Sequence, residues 1–533
     1  MRRYFNTEGI CEPSSHYMVQ LDTRLDKIKR AYVDRGKYLT ISRGRQYGKT
    51  TTLKALIKYL SPDYLVLFLD FQMLSSESFR NESVFSIAFA ELLQKALQNS
   101  HLTQSEKCAQ PIGQFFSFTQ MNATISLREL FSHISLLCKT TPLPIVLIID
   151  EADNASNNHV FIDFLSMLRG YYLDRENSPI FHSVILAGVY DIKNLKLKLR
   201  PEEEHQYNSP WNIAAKFNIN MNFTTKEIAV MLQEYETDCH TGMDVPAVAK
   251  EIFLYTCGYP YLVSAICKIL DEDLPELEPD FSSKCIWKKE GVTQAVHHLL
   301  KEDIPLLASM AKQLDSYAEL HTMTEEILYE GKQIAYSQME KSVNLGTMFG
   351  FFKENNGHVA IANRIFEMAL LNMFAAKEAV SNEAYRYGQR DKNQFIQYGQ
   401  LNMRLILEKF IEHFTDIYGN NDEKFIEKYG RKFFLLYLKP IINGTGNYYI
   451  EAQTRDMCRT DVIIDYRGIQ YVIELKIWHG NAYHQRGEHQ LAEYLDYFHL
   501  QTGYLLSFNF NQKKNPGIKE IHLDDRTIIE AVV

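Results

Sequence analysis

Short runs of apolar residues recur through the first two hundred positions of the chain. They occupy 38–42, 64–71 and 183–190, and a fourth run, within 142–153, ends in two acids. Because apolar and polar residues do not alternate in them, the runs indicate strands buried on both faces. Helical periodicity between the runs, as in SVFSIAFAELLQKAL, indicates helices that cover a sheet. The pattern predicts an α/β fold with a doubly wound sheet.

The first run leads into a loop of the kind that binds phosphate. Residues 36–54, GKYLTISRGRQYGKTTTLK, pass from a strand through a polar loop into a helix that begins near Lys49. Gly48 would let the backbone approach the phosphates, and Lys49 would place a cation near their outer oxygens. The Thr50 hydroxyl can bind Mg²⁺, and the helix N-terminus offers free N–H groups to an anion. We therefore predict an ATP site with Mg²⁺ at this loop.

The loop departs from the strict GxxxxGK[ST] pattern at its start. Arg43 stands where the first glycine belongs, and Gly44 follows one place later. Gly44 and Thr51 complete the predicted nucleotide-binding set. The alternative is a strand-to-turn junction that is merely capped by polar residues.

The run PLPIVLIIDEAD supplies the acids that the other half of an ATPase site requires. Asp150 would hold Mg²⁺ through water, and Glu151 would polarise the attacking water. Tyr17 and Met18 are either lining residues of an adenine pocket or ordinary core residues. The arginine or sensor residue that hydrolysis also needs cannot be identified from the sequence.

Length and charge limit the function classes. A chain of 533 residues is longer than one hydrophobic core usually serves, so we expect several domains. The net charge of −9 excludes a protein that coats nucleic acid with its whole surface but permits a local basic groove. The cysteines form no CxxC pair, and no apolar run could span a membrane or act as a signal peptide. We expect a cytoplasmic protein with no membrane partner.

A second candidate site lies near the C-terminus, in the segment 447–478. There, two strands with alternating apolar residues flank the turn Arg467-Gly468. If this turn is a two-residue hairpin loop, Asp461 lies opposite Glu474, close enough for both carboxylates to bind one divalent ion. Lys476 shares the face of Glu474 and would meet the developing negative charge of a phosphodiester under attack.

Asp461, Glu474 and Lys476 form the Asp…Glu-x-Lys pattern of PD-(D/E)XK nucleases, in which a metal ion activates water. Mg²⁺ would serve, and Mn²⁺ is an alternative. The competing interpretation is an exposed sheet face with a salt bridge between Glu474 and Lys476.

The stretches YLTISRGRQYGKTTT, IIDEAD, YNSPWNIAAKFNINMNFTTKEI and GYPYLVSAIC resemble bacterial AAA-like ATPases, over roughly residues 15–375. The resemblance implies a helical lid, and the capping box Thr224-x-x-Glu227 independently marks the start of its first helix. Helices followed by FGFFKENNGHVAIANRIF, which has a turn at Asn356-Gly357, suggest a winged helix. Its role is either DNA binding or packing.

The stretches EAQTRDMCRTDVIIDY, IELKIWHGNAYHQRGEHQLAEYLD and TGYLLSF resemble the nuclease-like domain that follows AAA-like domains in the same bacterial family. The resemblance covers about residues 398–515. It implies that Asp461, Glu474 and Lys476 are the catalytic core. It also points to Glu451 as a further acid and to Gln490 as a polar residue on the next helix. Position 460 is threonine rather than the nominal proline.

The predicted order of domains is an AAA-like core at 1–222, a lid at 223–294, a winged-helix-like module at 295–378, a linker or connecting helix at 379–397, and a nuclease-like domain at 398–533. The expected function is ATP binding and hydrolysis coupled to metal-dependent cleavage of nucleic acid, with defence against foreign DNA as an analogy. DNA is the favoured partner, and self-assembly stays open. The alternative is a nucleotide-switched binding protein whose nuclease fold is not catalytic.

Overall fold

The chain divides into two compact units, Met1–Phe223 and Thr224–Val533, which we describe separately. The computed structural model describes residues 2–100, 106–121, 124–155, 158–189, 211–277, 283–379, 381–418, 423–443, 445–450, 462–477, 491, 495, 500–509, 516–523 and 525–533.

The first unit is built on a parallel sheet. Its strands are β1 (Tyr38–Ser42), β2 (Leu65–Asp70), β3 (Ile145–Asp150) and β4 (Ser183–Gly188), in the order β1-β4-β3-β2. Beyond β1, on the side away from β4, Ala215 makes a parallel bridge to Leu39. The predicted apolar runs therefore form strands of one sheet, whose carboxyl ends share an edge.

Helices cover both faces of this sheet. They are α1 (Asp22–Ile28), α2 (Lys49–Leu60), α3 (Glu82–Gln98), α4 (Glu106–Met121), α5 (Leu127–Thr140) and α6 (His159–Leu173). Alternate strand residues supply two cores: Leu147 packs with α3, α5 and α6, whereas its neighbour Ile148 packs with α1 and α2. β1, β3 and β4 are therefore buried on both faces, whereas β2 at the edge of the sheet is only half-buried on one face. The predicted α/β fold of this unit is present.

The second unit begins with helices. These are α7 (Thr225–Cys239), α8 (Val245–Thr256), α9 (Pro260–Lys268), α10 (Leu274–Leu277), α11 (Ser283–Ile286) and α12 (Lys289–Leu299). The predicted capping box is present, because the Thr224 hydroxyl accepts from the Glu227 N–H and the Glu227 carboxylate accepts from the Thr224 N–H. We call residues 224–299 the lid segment.

More helices and a hairpin follow. The helices are α13 (Pro305–Ser316), α14 (Ala318–Glu325), α15 (Lys341–Met348) and α16 (Arg364–Glu378), and the hairpin strands are β5 (Phe352–Asn355) and β6 (His358–Ile361). The turn at Asn356-Gly357 has positive φ at both residues, which matches the twist of the strands.

The segment predicted as a linker or connecting helix contains a helix, α17 (Glu383–Asp391), and a small hairpin, β7 (Ile396–Gln397) with β8 (Gln400–Leu401). The helix packs closely against α19 (Glu423–Ile442), because a Cβ at Gly388 would lie 2.1 Å from the Tyr437 carbonyl oxygen. The segment therefore contains a helix that packs against α19.

Among the described residues, α18 (Met403–Tyr418) and a six-stranded sheet follow. Its strands are β9 (Gly446–Ile450), β10 (Val462–Tyr466), β11 (Ile469–Ile477), β12 (Thr502–Phe508), β13 (Gly517–Leu523) and β14 (Arg526–Val532). The order is β13-β14-β12-β11-β10-β9, with β9, β10 and β11 antiparallel in series and β12 parallel to β11.

Within the described part of the chain, no helix combines the length and the apolar character that a membrane crossing needs.

Candidate nucleotide and nuclease sites

The loop between β1 and α2 owes its shape to two left-handed residues. Gln46 has φ 54° and Gly48 has φ 73°, and Gly48 lies directly before the first residue of α2. A left-handed conformation is inexpensive for glycine, and it turns the chain so that the helix N-terminus faces the loop. Arg43 does not carry either of these conformations, so the missing first glycine leaves the turn intact.

Arg43 instead turns its side chain into the protein. Its guanidinium donates to the Ser42 carbonyl at 2.9 Å and lies 5.5 Å from the centre of the Phe217 ring. Burial lowers the pKa of this guanidinium from its usual value. The arginine therefore supports the loop from the side of residues 217–219 rather than facing a ligand.

Lys49 is held by the loop itself. Its side chain is buried, and its Nζ donates to the carbonyl oxygens of Arg43 and Gly44, each at 3.0 Å. Burial lowers the pKa of Lys49, although the carboxylates of Glu151, Asp153 and Asp150 act in the opposite direction. The predicted cation thus lies in the loop and next to the acids at the end of β3.

The two halves of the predicted ATPase site meet at Thr50. The Thr50 hydroxyl donates to Asp150 Oδ2 at 2.7 Å, across a separation of one hundred positions in the sequence. Burial raises the pKa of Asp150, and the Thr50 hydrogen bond acts against this rise. The β1-to-α2 loop and the end of β3 come together because parallel strands end at one edge.

Glu151 follows in a strained conformation. Its φ is 51°, which an L-residue with a side chain seldom adopts, and its backbone N–H bonds to Asp150 Oδ1 at 3.0 Å. Burial raises the pKa of Glu151, and the nearby Asp153 carboxylate adds to the rise. Such a carboxylate accepts a proton more readily than an ordinary glutamate does.

Two further acids, which the sequence motifs do not identify, lie at the carboxyl edge of this sheet. Asp70 ends β2 and pairs in register with Asp150, and Asp153 accepts from the Val189 N–H at 3.3 Å, just past β4. A Cβ at Gly188 would lie 2.5 Å from Asp153 Oδ1, so the glycine lets the Asp153 carboxylate lie against the end of β4. Asp70 could have been identified from the sequence, because it ends a second apolar run, LVLFLD, in the way that Asp150 ends its own run.

The N-terminal segment closes against the start of α2. The Cys11 N–H donates to the hydroxyl of Thr51 at 3.2 Å, so this predicted nucleotide-binding residue also fixes the N-terminal segment. Tyr17 is buried against Phe5, at 5.1 Å between ring centres, and lies beneath the Arg3 guanidinium. The core interpretation of Tyr17 is therefore the one that its contacts support.

In the C-terminal sheet, the hairpin has the register that a two-residue turn predicts. Tyr466 pairs with Ile469 and Val462 with Ile473, and the turn residues Arg467 and Gly468 have φ 52° and 79°. Asp461, Glu451 and Gln490 lie outside the described residues.

Glu474 and Lys476 lie together on one face of β11. Lys476 Nζ is 3.3 Å from Glu474 Oε1, and the exposed fractions of the two side chains are 9% and 0%. The face is buried rather than exposed, so the competing picture of a solvent-exposed salt bridge is wrong in that respect. The ion pair itself is present. Among the described residues, no group of three or more His, Cys, Asp or Glu side chains is arranged to hold a metal ion.

Comparisons with solved structures give low similarity. The Walker-type ATPase of Pyrococcus abyssi is 12% identical, with a TM-score of 0.42, over 69% of this chain and 99% of that one. The Aeropyrum pernix ORC2 protein, in ADPNP–ADP complexes, is 14% identical, with a TM-score of 0.36, over 71% and 98%. The Aeropyrum pernix ORC1 protein in complex with DNA is 12% identical, with a TM-score of 0.29, over 68% and 94%.

Comparison with protein families is more informative. No curated protein matches the chain. The model of the AAA-like domain family matches residues 6–368, which span the phosphate-binding loop, the acids of β3, the lid segment and the β5–β6 hairpin. The match covers more than half of the chain and ends before the C-terminal sheet. The chain therefore belongs to the AAA-like domain family and is a P-loop ATPase.

Proposed function

We propose that the chain is an ATP-regulated, metal-dependent nuclease that cleaves nucleic acid, with DNA favoured. The observation that carries the proposal is the Glu474–Lys476 pair, which is buried on one face of β11 beside the parallel strand β12. A carboxylate and an ammonium two residues apart on one face are the groups that phosphodiester hydrolysis needs near a metal ion.

The ATP half rests on the edge of the first sheet. Oxygen ligands are what Mg²⁺ prefers, and the Thr50 hydroxyl and Asp150 carboxylate are already adjacent there. Bound Mg²⁺ would neutralise charge on the β- and γ-phosphates. Lys49 would turn from the loop carbonyls to the phosphates, and Glu151 would orient the attacking water and take up its proton.

The nuclease half rests on strand order and register. An antiparallel series, β9-β10-β11, is followed by β12, which is parallel to β11, so the chain must cross over between them. Glu474 and Lys476 lie at the end of β11, just before that crossover, where a groove for a ligand commonly forms. We propose Asp461, the partner that the sequence predicts for Glu474, as the second carboxylate on the metal, with Glu451 and Gln490 as further residues of the site.

The module at 295–378 is proposed to be a winged helix. It has helices followed by the hairpin β5–β6 and its two-residue turn. A role in packing has direct support, since Tyr259 of the lid segment contacts Phe366 of α16 edge to face at 5.3 Å. A role in DNA binding would need the hairpin to face the nucleic acid.

A second function is favoured by one observation. Glu474 has no exposed surface and its carboxylate is in an ion pair, which is also what a closed, non-catalytic core would show. In that case, the C-terminal sheet would bind nucleic acid or a protein without cleaving it, and nucleotide would switch the binding.

A cleavage assay separates the two functions. Full-length protein is incubated with single- and double-stranded DNA and RNA, with Mg²⁺ or Mn²⁺, and with or without ATP. Glu474→Gln is compared with Glu520→Gln, a matched change at an exposed glutamate of the same sheet. Cleavage that needs metal, is lost in Glu474→Gln and is kept in Glu520→Gln supports the nuclease.

Binding of a substrate without cleavage under every condition would favour the non-catalytic function. Cleavage that is unchanged in Glu474→Gln would place the activity outside this sheet.

A further inference from the structure

The lid segment and the C-terminal sheet are joined by polar contacts, of which the one between Tyr255 and Asp465 is buried. The Tyr255 hydroxyl of α8 donates to Asp465 Oδ2 of β10 at 2.7 Å, and both residues are buried. The same hydroxyl lies 3.4 Å from the Thr293 hydroxyl of α12. Tyr255 therefore links two lid helices to the hairpin that carries Glu474.

A second contact reaches the other strand of the same hairpin. Lys289 Nζ, at the start of α12, donates to Gln470 Oε1 of β11 at 3.0 Å. Gln470 is paired in register with Asp465, and its own amide donates to the Tyr449 hydroxyl of β9 at 3.3 Å. The contacts from α8 and α12 thus converge on one pair of facing residues.

Further contacts between the lid segment, α16 and the C-terminal sheet lie beside these hydrogen bonds and involve β9. Asn447 Nδ2 of β9 lies 3.3 Å from His297 Nδ1 of α12, and the Arg364 guanidinium of α16 lies 4.5 Å from the centre of the Tyr449 ring. Burial raises the pKa of Asp465, and the hydrogen bond from Tyr255 acts against the rise. We call Tyr255, Lys289, Asp465 and Gln470 the latch.

The latch and the candidate nuclease pair share a sheet face. Side chains alternate along a strand, so Gln470, Glu474 and Lys476 all project from one face of β11. Asp465 projects from that face of β10, because it is paired with Gln470. The lid segment therefore holds the hairpin on the face where the proposed chemistry takes place.

Buried polar contacts resist sliding more than apolar contacts do. If the lid segment moved against the sheet, Asp465 would lose its hydroxyl donor inside the protein, and the buried Gln470 would lose the ammonium donor of the exposed Lys289. An unmatched buried polar group carries the full cost of its desolvation. Apolar side chains, by contrast, find new neighbours after a small shift.

We infer that the lid segment and the β10–β11 hairpin move as one body, so that a nucleotide-driven movement of the lid repositions Glu474 and Lys476. The inference deepens the proposed function by naming the part of the chain that transmits the regulation. Its biological role rests on the proposed function, but the movement itself can be measured without any cleavage.

Hydrogen–deuterium exchange of the full chain tests the inference, with and without the non-hydrolysable analogue AMPPNP and Mg²⁺. The peptides of interest cover α8, α12 and the hairpin 462–477. In the parent protein, we expect the analogue to change exchange in all three. In the double variant Tyr255→Phe/Lys289→Met, the change should persist in α8 and α12 and be lost from the hairpin.

Two matched variants separate transmission from loss of fold. Asp465→Asn keeps an acceptor for the Tyr255 hydroxyl, so the response of the hairpin should be retained. Tyr398→Phe changes a fully exposed tyrosine in the same unit and should leave every peptide unaffected. Circular dichroism and AMPPNP affinity should be the same in all variants, which shows that any loss is not general unfolding.

The inference is overturned if the hairpin still responds in the double variant, because transmission then does not pass through the latch. It is equally overturned if α8 and α12 respond in the parent protein and the hairpin does not. The cleavage assay is scored separately, so an inactive chain with a responding hairpin would reject the nuclease and retain the coupling.

Discussion

In the phosphate-binding loop, four predicted residues, Gly48 to Thr51, are neighbours in the sequence, whereas the predicted nuclease site draws its residues from separate strands. The loop needs only a turn and a helix start to present its groups together. The C-terminal site needs the correct register between β10 and β11. A local motif therefore fixes its own geometry, and a distributed one depends on tertiary pairing.

The carboxylates of the two sites also have different hydrogen-bond and ion-pair partners. Asp150 is bonded to a neutral hydroxyl, that of Thr50, and is next to other acids at the sheet edge. Glu474 is paired with an ammonium and fully enclosed. A metal ion can join the first arrangement by replacing one hydrogen bond, but in the second it must compete with Lys476 for the carboxylate.

The largest effects are expected at the enclosed pair. Glu474→Ala and Lys476→Ala should each reduce cleavage roughly 10²–10⁴-fold, since each removes a group that acts on the reacting phosphate. Glu474→Ala, like Asp461→Ala, should also lose metal affinity, whereas Lys476→Ala should keep it. Titration calorimetry with Mn²⁺ measures the difference.

The stability of Lys476→Ala provides a further test at this site. Breaking a buried ion pair by removing one partner costs about 3–5 kcal/mol, because it leaves a charge without its partner. If Glu474 is a metal ligand, added Mn²⁺ should raise the melting temperature of this variant more than that of the parent protein. An equal response in both proteins would mean that the enclosed carboxylate is structural.

At the phosphate-binding site, Glu151 and Asp150 should divide their work. Glu151→Gln should bind ATP normally and hydrolyse it roughly 10²–10³-fold more slowly, as expected when a general base is lost. Asp150→Asn should instead weaken the Mg²⁺ dependence of binding. Steady-state phosphate release measures the hydrolysis rate of each variant. Glu77→Gln, which changes an exposed glutamate, is the control. Hydrolysis by Glu151→Gln at the parent rate would assign the base to another residue.

Lys49→Ala should weaken ATP binding roughly 100-fold, since a charge-assisted contact to phosphate is worth about 3 kcal/mol. The C-terminal unit should stay folded, because the lost ammonium faces the loop carbonyls. Lys58→Ala changes an exposed lysine on the same helix and should bind ATP as the parent does. Equal ATP affinity in both variants would remove Lys49 from the nucleotide site.

The sequence predicted the structure correctly where a local pattern determines an element or a turn. The strands β1 to β4, the start of α7 at Thr224 and the hairpin register at Arg467-Gly468 all follow from local patterns, and the structure has them. The departure at Arg43 leaves the turn of the loop intact, because the left-handed conformations fall on Gln46 and Gly48.

Tertiary packing decided the rest. Tyr255 and Asp465 are 210 positions apart, and neither residue stands in a motif, so nothing in the sequence pairs them. The burial of Glu474 could not be predicted from the strand pattern either. The alternation of apolar and polar residues shows which side chains share a sheet face, but it does not show what covers that face. The positions of Asp461, Glu451 and Gln490 and the domain limits stay predictions.

The smallest expected effect comes from the turn that sets the C-terminal register. Gly468 has φ 79°, and Gly357, the second residue of the β5–β6 turn, has φ 81°. A Cβ at Gly468 would meet Glu290 Cγ at an ordinary 3.4 Å, and one at Gly357 would meet nothing within 4 Å. Each alanine variant should therefore lose only about 1 kcal/mol of unfolding free energy, the cost of a left-handed alanine. Urea denaturation measures both. If the hairpin register positions the nuclease residues, Gly468→Ala should lower the cleavage rate more than its loss of stability explains, and Gly357→Ala should not. Equal cleavage rates in the two variants would mean that the turn at Gly468 does not control the site.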